Sequence, residues 1–381
     1  MAYKIIAFDG GGIRGLVSAL LLKELDPNGE LVKGTNMFAG TSTGSFLALA
    51  LADDVPLDTI IEMYQTKGST IFEEAPMDWN CANPFSAEEQ QAIDAVTVDS
   101  VGGSGESIKS IFQAKYKPDN LRSELGRIFG AAKLSELPMS GAQVVVNSLQ
   151  LWSEWEGQWS PVMIGSGRND PFADMHMVDA AMCSGAAPTY FPPHEPVSPA
   201  SKEWGYFADG GLFANNPSAS AVSYAVENFG ADVSDMRVLS IGTGKTRQGI
   251  NPGDVGQADC WGAWQWLRPS SRDNGKVPAA PLIEAALTAS AASCEQYAKR
   301  MLGDRYIRAN LDLEQAYALD NWQDIGVLEE AVAKFVQTDE WDVIVDAVYE
   351  YWNNPNPLAF EESAQAEKSP ARKSWLASLF A

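Results

Sequence analysis

Gly40-Thr41-Ser42-Thr43-Gly44 stands between a short apolar run, Met37-Phe38-Ala39, and a longer one, Phe46-Leu47-Ala48-Leu49-Ala50-Leu51. The first run has the length of a buried strand and the second favours helix. Five residues therefore carry the chain from strand to helix, with a serine at the tip of the turn. Glycines two places either side of Ser42 leave room for a strained backbone and for close packing of helix on strand. The helix that follows directs the partial positive charge of its N-terminus at the hydroxyl. This is the local setting of an activated nucleophile. It calls for a base and for donors that accept an oxyanion.

The flanking sequence repeats the pattern. Residues 3–8 (YKIIAF) read as a buried strand, Asp9-Gly10-Gly11-Gly12 as a loop, and Ile13 to Leu25 as a helix stopped by Asp26-Pro27-Asn28-Gly29. Two strand–loop–helix units in succession predict a parallel sheet with helices on its faces. Further on, helices are expected over 57–72 and 121–129, and strands over 142–151 and 159–164. A small-residue helix over 178–187, a short strand over 204–208 leading into Asp209-Gly210-Gly211, and a helix opened by Asn215-Asn216-Pro217 follow. A strand over 237–241 runs into Gly242-Thr243-Gly244-Lys245, and a helix is expected over 282–302. Two amphipathic stripes, Leu328 to Val336 and Trp341 to Trp352, predict two more helices. Residues 73–107, with Pro76, Pro84 and a Gly-Ser-rich run, read as a candidate lid or an insertion without order of its own. Trp261, Trp264 and Trp266 are expected to pack internally. Residues 368–381, basic and then apolar, read as a weak interfacial anchor or a frayed tail.

Only two histidines are present, His176 and His194, and neither sits in a motif. A serine–histidine triad is thus poorly supplied. Asp209 ends an apolar strand and is followed by two glycines, which leave its approach open; a carboxylate there acts directly as a base if burial raises its basicity. Gly10, Gly11 and Gly12 offer a run of unobstructed amides at a helix N-terminus, a candidate oxyanion site. Arg14 adds a positive charge that steadies that loop or meets a phosphate headgroup. Gly10-x-Gly12-x-x-Gly15 also fits a dinucleotide fingerprint, but no acidic residue ends a second strand about 20 residues on. Thr243-Gly244-Lys245-Thr246 resembles the end of a phosphate loop, yet its first glycine would have to stand where Leu239 does.

Three motifs now stand in order: Asp9-Gly-Gly-Gly-Ile-Arg-Gly15, Gly40-Thr-Ser-Thr-Gly44 and Asp209-Gly-Gly211. Together they resemble the patatin-like phospholipase family, as do Ser184-Gly-Ala-Ala-Pro-Thr-Tyr-Phe191, Asn215-Asn-Pro217 and Ser240-Ile-Gly-Thr-Gly244. The resemblance covers roughly residues 4–310. It implies a three-layer α/β/α sandwich with a mostly parallel central sheet, and lipid acyl hydrolysis of the phospholipase A type (carboxylic ester hydrolase) by a Ser42–Asp209 dyad without a cofactor or metal. In that reading Gly10, Gly11 and Gly12 form the oxyanion hole and Arg14 takes the place of the motif's basic, substrate-binding residue. Gly211 stands where many members of the family have alanine. The expected domains are a hydrolase unit over 1–325 and a helical extension with a flexible tail over 326–381. Two alternatives keep the same chemistry: an effector that damages membranes in antiphage defence when a cyclic nucleotide activates it, and a storage-type protein with incidental esterase activity.

The totals bound the partners. Fifty acidic against 27 basic residues give a net charge of −23, which disfavours nucleic acid polymers and plain electrostatic adhesion to anionic membranes. Four scattered cysteines signal neither a zinc site nor a disulfide framework. No signal peptide and no spanning run are read, so a cytoplasmic protein that touches membranes transiently is expected, with membrane phospholipid as substrate. A small nucleotide activator and a homo-oligomer are left open.

Overall fold

The computed structural model describes residues 2–76, 114–153, 157–196, 204–246, 249–251, 257, 259, 261–267 and 280–352. Most of the candidate lid and all of the basic tail lie outside these residues.

The chain begins with β1 (Tyr3–Phe8), crosses the glycine loop and enters α1 (Gly15–Leu25). The serine turn joins β2 (Met37–Thr41) to α2 (Thr43–Ala52) as its sequence predicts. Every residue of α2 is buried, in keeping with a helix that is apolar on all sides. There follow α3 (Leu57–Ile71), α4 (Pro118–Phe129), the hairpin β3 (Gln143–Trp152) and β4 (Ser160–Gly165), α5 (Met177–Gly185), β5 (Tyr206–Asp209), α6 (Ser218–Phe229) and β6 (Met236–Ile241). The described chain closes with α7 (Pro281–Leu302), β7 (Tyr306–Ala309), α8 (Ile325–Phe335) and α9 (Asp339–Ala347).

The main path of the sheet runs β4-β3-β2-β1-β6-β7. The pairs β1–β2, β1–β6, β2–β3 and β6–β7 are parallel, and β3 meets β4 and β5 antiparallel. Side chains alternate along β1, so Ile6 and Phe8 enter one apolar layer while Ile5 and Ala7 enter the other. The first layer is covered by α1 to α5 and the second by α6 and α7, which makes three layers. Leu328, Val332, Phe335, Trp341 and Ile344, from the stretch beyond 325, are buried in the first layer with α1. Trp261 and Trp266 meet edge to face at 5.1 Å, and the side chain of Trp264 lies outside the described residues.

One detail of the sheet positions everything that follows. A strand has two edges, and β4 occupies one edge of β3 from Val145 to Gln150. The other edge is therefore shared by β2 and β5, end to end. Thr41 of β2 pairs with Asn147, and Asp209 of β5 pairs with Ser148. Two strands far apart in sequence thus stop at neighbouring positions along β3.

Candidate active site

That meeting point holds Ser42 and Asp209. Ser42 has φ 53 and ψ −126, a conformation non-glycine residues rarely adopt. Its neighbours fix it: the Ser42 amide donates to Ser184 Oγ at 2.9 Å, and Ser184 Oγ donates in turn to the Asn147 carbonyl at 2.7 Å. The Ser42 carbonyl accepts from the Ser45 amide at 2.9 Å and from Ser45 Oγ at 2.5 Å. The close approach that the sequence suggested is present, since a Cβ at Gly44 would stand 2.2 Å from the Phe8 carbonyl oxygen.

Asp209 is 3% exposed. Its Oδ1 accepts from the Gly211 amide at 2.7 Å, and the Ser42 hydroxyl lies close enough to act on its carboxylate. Burial lifts the Asp209 carboxyl to about 6, against the pull of the Ser42 hydroxyl and the Gly211 amide. No cation appears among the groups that act on it. The result is a carboxylate more basic than usual, beside the hydroxyl it would deprotonate.

The histidines are occupied elsewhere. His194 Nε2 lies 2.8 Å from Asp179 Oδ1, which also accepts from Arg122 Nη1 at 2.9 Å. His176 Nδ1 lies 3.0 Å from the Ala131 carbonyl.

The glycine loop borders Ser42: a Cβ at Gly10 would come within 3.1 Å of Ser42 Cβ. The three expected oxyanion donors are not equivalent. The Gly10 amide donates to the Asn215 carbonyl at 2.9 Å, whereas the amides of Gly11 and Gly12 have no acceptor among the described residues. Gly12 has φ +58, and a Cβ there would stand 2.1 Å from the Leu319 carbonyl oxygen, so only glycine fits. Arg14 braces the loop from behind, with its amide 3.2 Å and its Nε 3.4 Å from the Gly11 carbonyl. Burial lowers the Arg14 guanidinium, while Glu284, Tyr190 and Asp9 hold it up.

Ser42 and Gly12 open onto a cavity with an empty volume of about 570 Å³, its mouth included. Its walls are mostly apolar, among them Ile13, Phe46, Met63, Phe72, Leu121 and Phe191. Arg14 is not part of the wall. Among the described residues, no group of three or more His, Cys, Asp or Glu side chains is close enough to share a metal ion.

A family profile described as "Patatin-like phospholipase" matches residues 6–222, more than half of the chain. The chain belongs to the patatin-like phospholipase family. Among curated members similar to it, Protein teg of Priestia megaterium is 26% identical over 245 residues, 64% of this chain and 64% of that protein. Patatin-like protein 2 of Arabidopsis thaliana is 28% identical over 320 residues, 75% of this chain and 69% of that protein. A cGAMP-activated phospholipase of Vibrio cholerae is 26% identical over 289 residues, 68% of this chain and 70% of that protein. This patatin-like chain spans less than two thirds of the length of the first relatives it matches, 63% and 64%.

Some residues of the site carried no signal of their own in the sequence. Ser184 and Asn215 lay inside segments that resemble the family, without an assigned role. Leu319, whose carbonyl accepts from the Ile13 amide at 2.7 Å, stood in no motif.

Proposed function

We propose that this protein is a lipid acyl hydrolase of the phospholipase A type, working through a Ser42–Asp209 dyad on glycerophospholipid esters. The observation that carries the reading is the placing of a strained serine beside a buried carboxylate of raised basicity, where two strands end at neighbouring positions along β3. Asp209 takes the proton as Ser42 Oγ attacks the ester carbonyl. The oxyanion rests on the Gly11 and Gly12 amides, Gly10 being engaged by Asn215. Asp209 then gives that proton to the departing alcohol of the lysolipid as the acyl group passes to Ser42 Oγ, its chain lying in the apolar cavity; water, deprotonated by the freed carboxylate, attacks the acyl-serine, the fatty acid leaves and the proton returns to Ser42 Oγ. Arg14 steadies the loop through the Gly11 carbonyl, a more specific role than contact with substrate. Family membership supports the substrate class.

The test is hydrolysis of phospholipid vesicles by wild type and Ser42→Ala. Loss of at least about 10⁴-fold in the variant, with an unchanged fold, is expected; undiminished hydrolysis would sink the dyad. Several relatives carry the name cGAMP-activated phospholipase, so each assay is run with and without a cyclic dinucleotide. A stimulated rate would support the switched effector, and equal rates would count against it. Among the described residues no helix is long and apolar enough to cross a membrane.

A further inference from the structure

Asp9 follows β1 and opens the glycine loop, yet its carboxylate points into the protein, 6% exposed. Arg308 reaches it from β7, across β6. Arg308 Nη2 lies 2.5 Å from Asp9 Oδ2, and Nη1 lies 3.0 Å from Oδ1, a two-pronged grip. Arg308 Nη1 also donates to Ser240 Oγ at 2.8 Å. Asn216 Nδ2 donates to Asp9 Oδ1 and to the same Ser240 Oγ, each at 2.9 Å. Glu295 Oε2, 3.3 Å from Arg308 Nε, adds a second negative charge.

The grip is transmitted to the site by the next residue. The Asn215 carbonyl accepts from the Gly10 amide at 2.9 Å, and Asn215 Nδ2 donates to the Gly10 carbonyl at 3.3 Å. On α7, Ser290 Oγ accepts from the Asn215 amide at 3.3 Å and donates to the Gly211 carbonyl at 2.8 Å. The loop that would hold the oxyanion and the turn that carries the base therefore share one clamp. Arg308 does not line the cavity, so it is no catalytic residue.

We propose that Arg308 is a positioning residue for acyl transfer: by holding Asp9, Ser240 and thereby Asn216, it orients the Gly11 and Gly12 amides beside Ser42 for a tetrahedral oxyanion. The inference rests on the dyad reading above. Stability gives a weaker reason for a guanidinium here, because a buried ion pair can often be replaced by apolar groups without loss. Lysine offers one donor head where this site uses a planar fork.

The experiment uses the full chain and a water-soluble ester, p-nitrophenyl butyrate, so that membrane binding does not enter. Arg308→Lys, Arg308→Met and the neutral pair Asp9→Asn/Arg308→Met are compared with wild type for kcat, KM, pH profile and thermal melting. Expected losses in kcat are about 10-fold for Arg308→Lys and about 100-fold for Arg308→Met, with KM within about twofold. The rise in rate near pH 6 stays in place, because Asp209 is untouched. The neutral pair, which leaves no buried charge facing Arg308's place and only the part-exposed Glu295 without its ion pair, keeps the loss. Wild-type kcat in Arg308→Met or in the neutral pair would overturn the inference. If neither of them folds, Arg308→Lys decides alone, and wild-type kcat in it overturns the inference too. Hydrolysis by wild type that survives Ser42→Ala would instead sink the dyad reading, and this inference with it.

Discussion

Two aspartates in this molecule have nearly the same local sequence and opposite surroundings. Asp9 follows β1 and precedes Gly10-Gly11-Gly12, and Asp209 ends β5 before Gly210-Gly211. Both are buried, and burial raises both carboxyls above the ordinary range. At Asp9 that push is opposed by the charge and hydrogen bonds of Arg308, and both oxygens serve as acceptors of its fork. Burial alone would lower Arg308, but Asp9, Tyr306 and Glu295 together lift it, so the guanidinium keeps its charge. At Asp209 only a hydroxyl and one amide oppose burial. A paired carboxylate is a fastener. One held without a cation keeps its appetite for a proton, which a base requires.

Neutralising each aspartate in turn should separate the two roles. The largest effect is expected from Asp209→Asn, which lowers kcat by about 10³-fold, measured on the soluble ester. In wild type the rate rises with pH through about 6, where Asp209 loses its proton, and reaches a plateau above; the residual rate of the variant lacks that step. A step near 6 that persisted in Asp209→Asn would assign the base elsewhere. Next comes Asp9→Asn, which leaves Arg308 facing a neutral amide and is expected to cost about 3–5 kcal/mol in urea unfolding. Asp209→Asn should do the reverse. The native state binds the Asp209 proton more tightly than the unfolded chain, whose value is near 3.8, so the ionised carboxylate destabilises the fold above about pH 6. The amide is then more stable by roughly 3 kcal/mol at pH 8, a gain that fades as pH falls towards 4. Equal signs for the two variants at pH 8 would dissolve the comparison. The smallest effect is expected from His176→Ala, whose rate stays within about twofold of wild type, since its ring nitrogen bonds the Ala131 carbonyl rather than Ser42.

The strand–turn–helix around Ser42 was legible because glycine spacing and apolar runs are local signals, and both central units formed as read. Asp209 was legible as a carboxylate at a strand end. Its pairing with Ser42 was an expectation drawn from the scarcity of histidines and from the resemblance; the nearness itself was not legible, because it depends on β2 and β5 sharing one edge of β3, a register that no short stretch encodes. The difference between Gly10 and its two neighbours was equally hidden, since it lies in which amide Asn215 captures. Arg308 is the extreme case. It sits in the four-residue strand Tyr-Ile-Arg-Ala, too short to announce itself, and its partner is 299 residues away.

That separation has a consequence for the making of the protein. Ser42 and the glycine loop leave the ribosome well before Arg308, which lies 299 residues after Asp9. At about 5–20 residues per second, the 299 residues between Asp9 and Arg308 take roughly 15–60 s to add. Throughout that interval the loop beside the serine lacks its far anchor. A nascent chain therefore carries Ser42 and its turn before the contacts that mount the neighbouring glycine loop, so translation itself sets the order in which this part of the fold is completed.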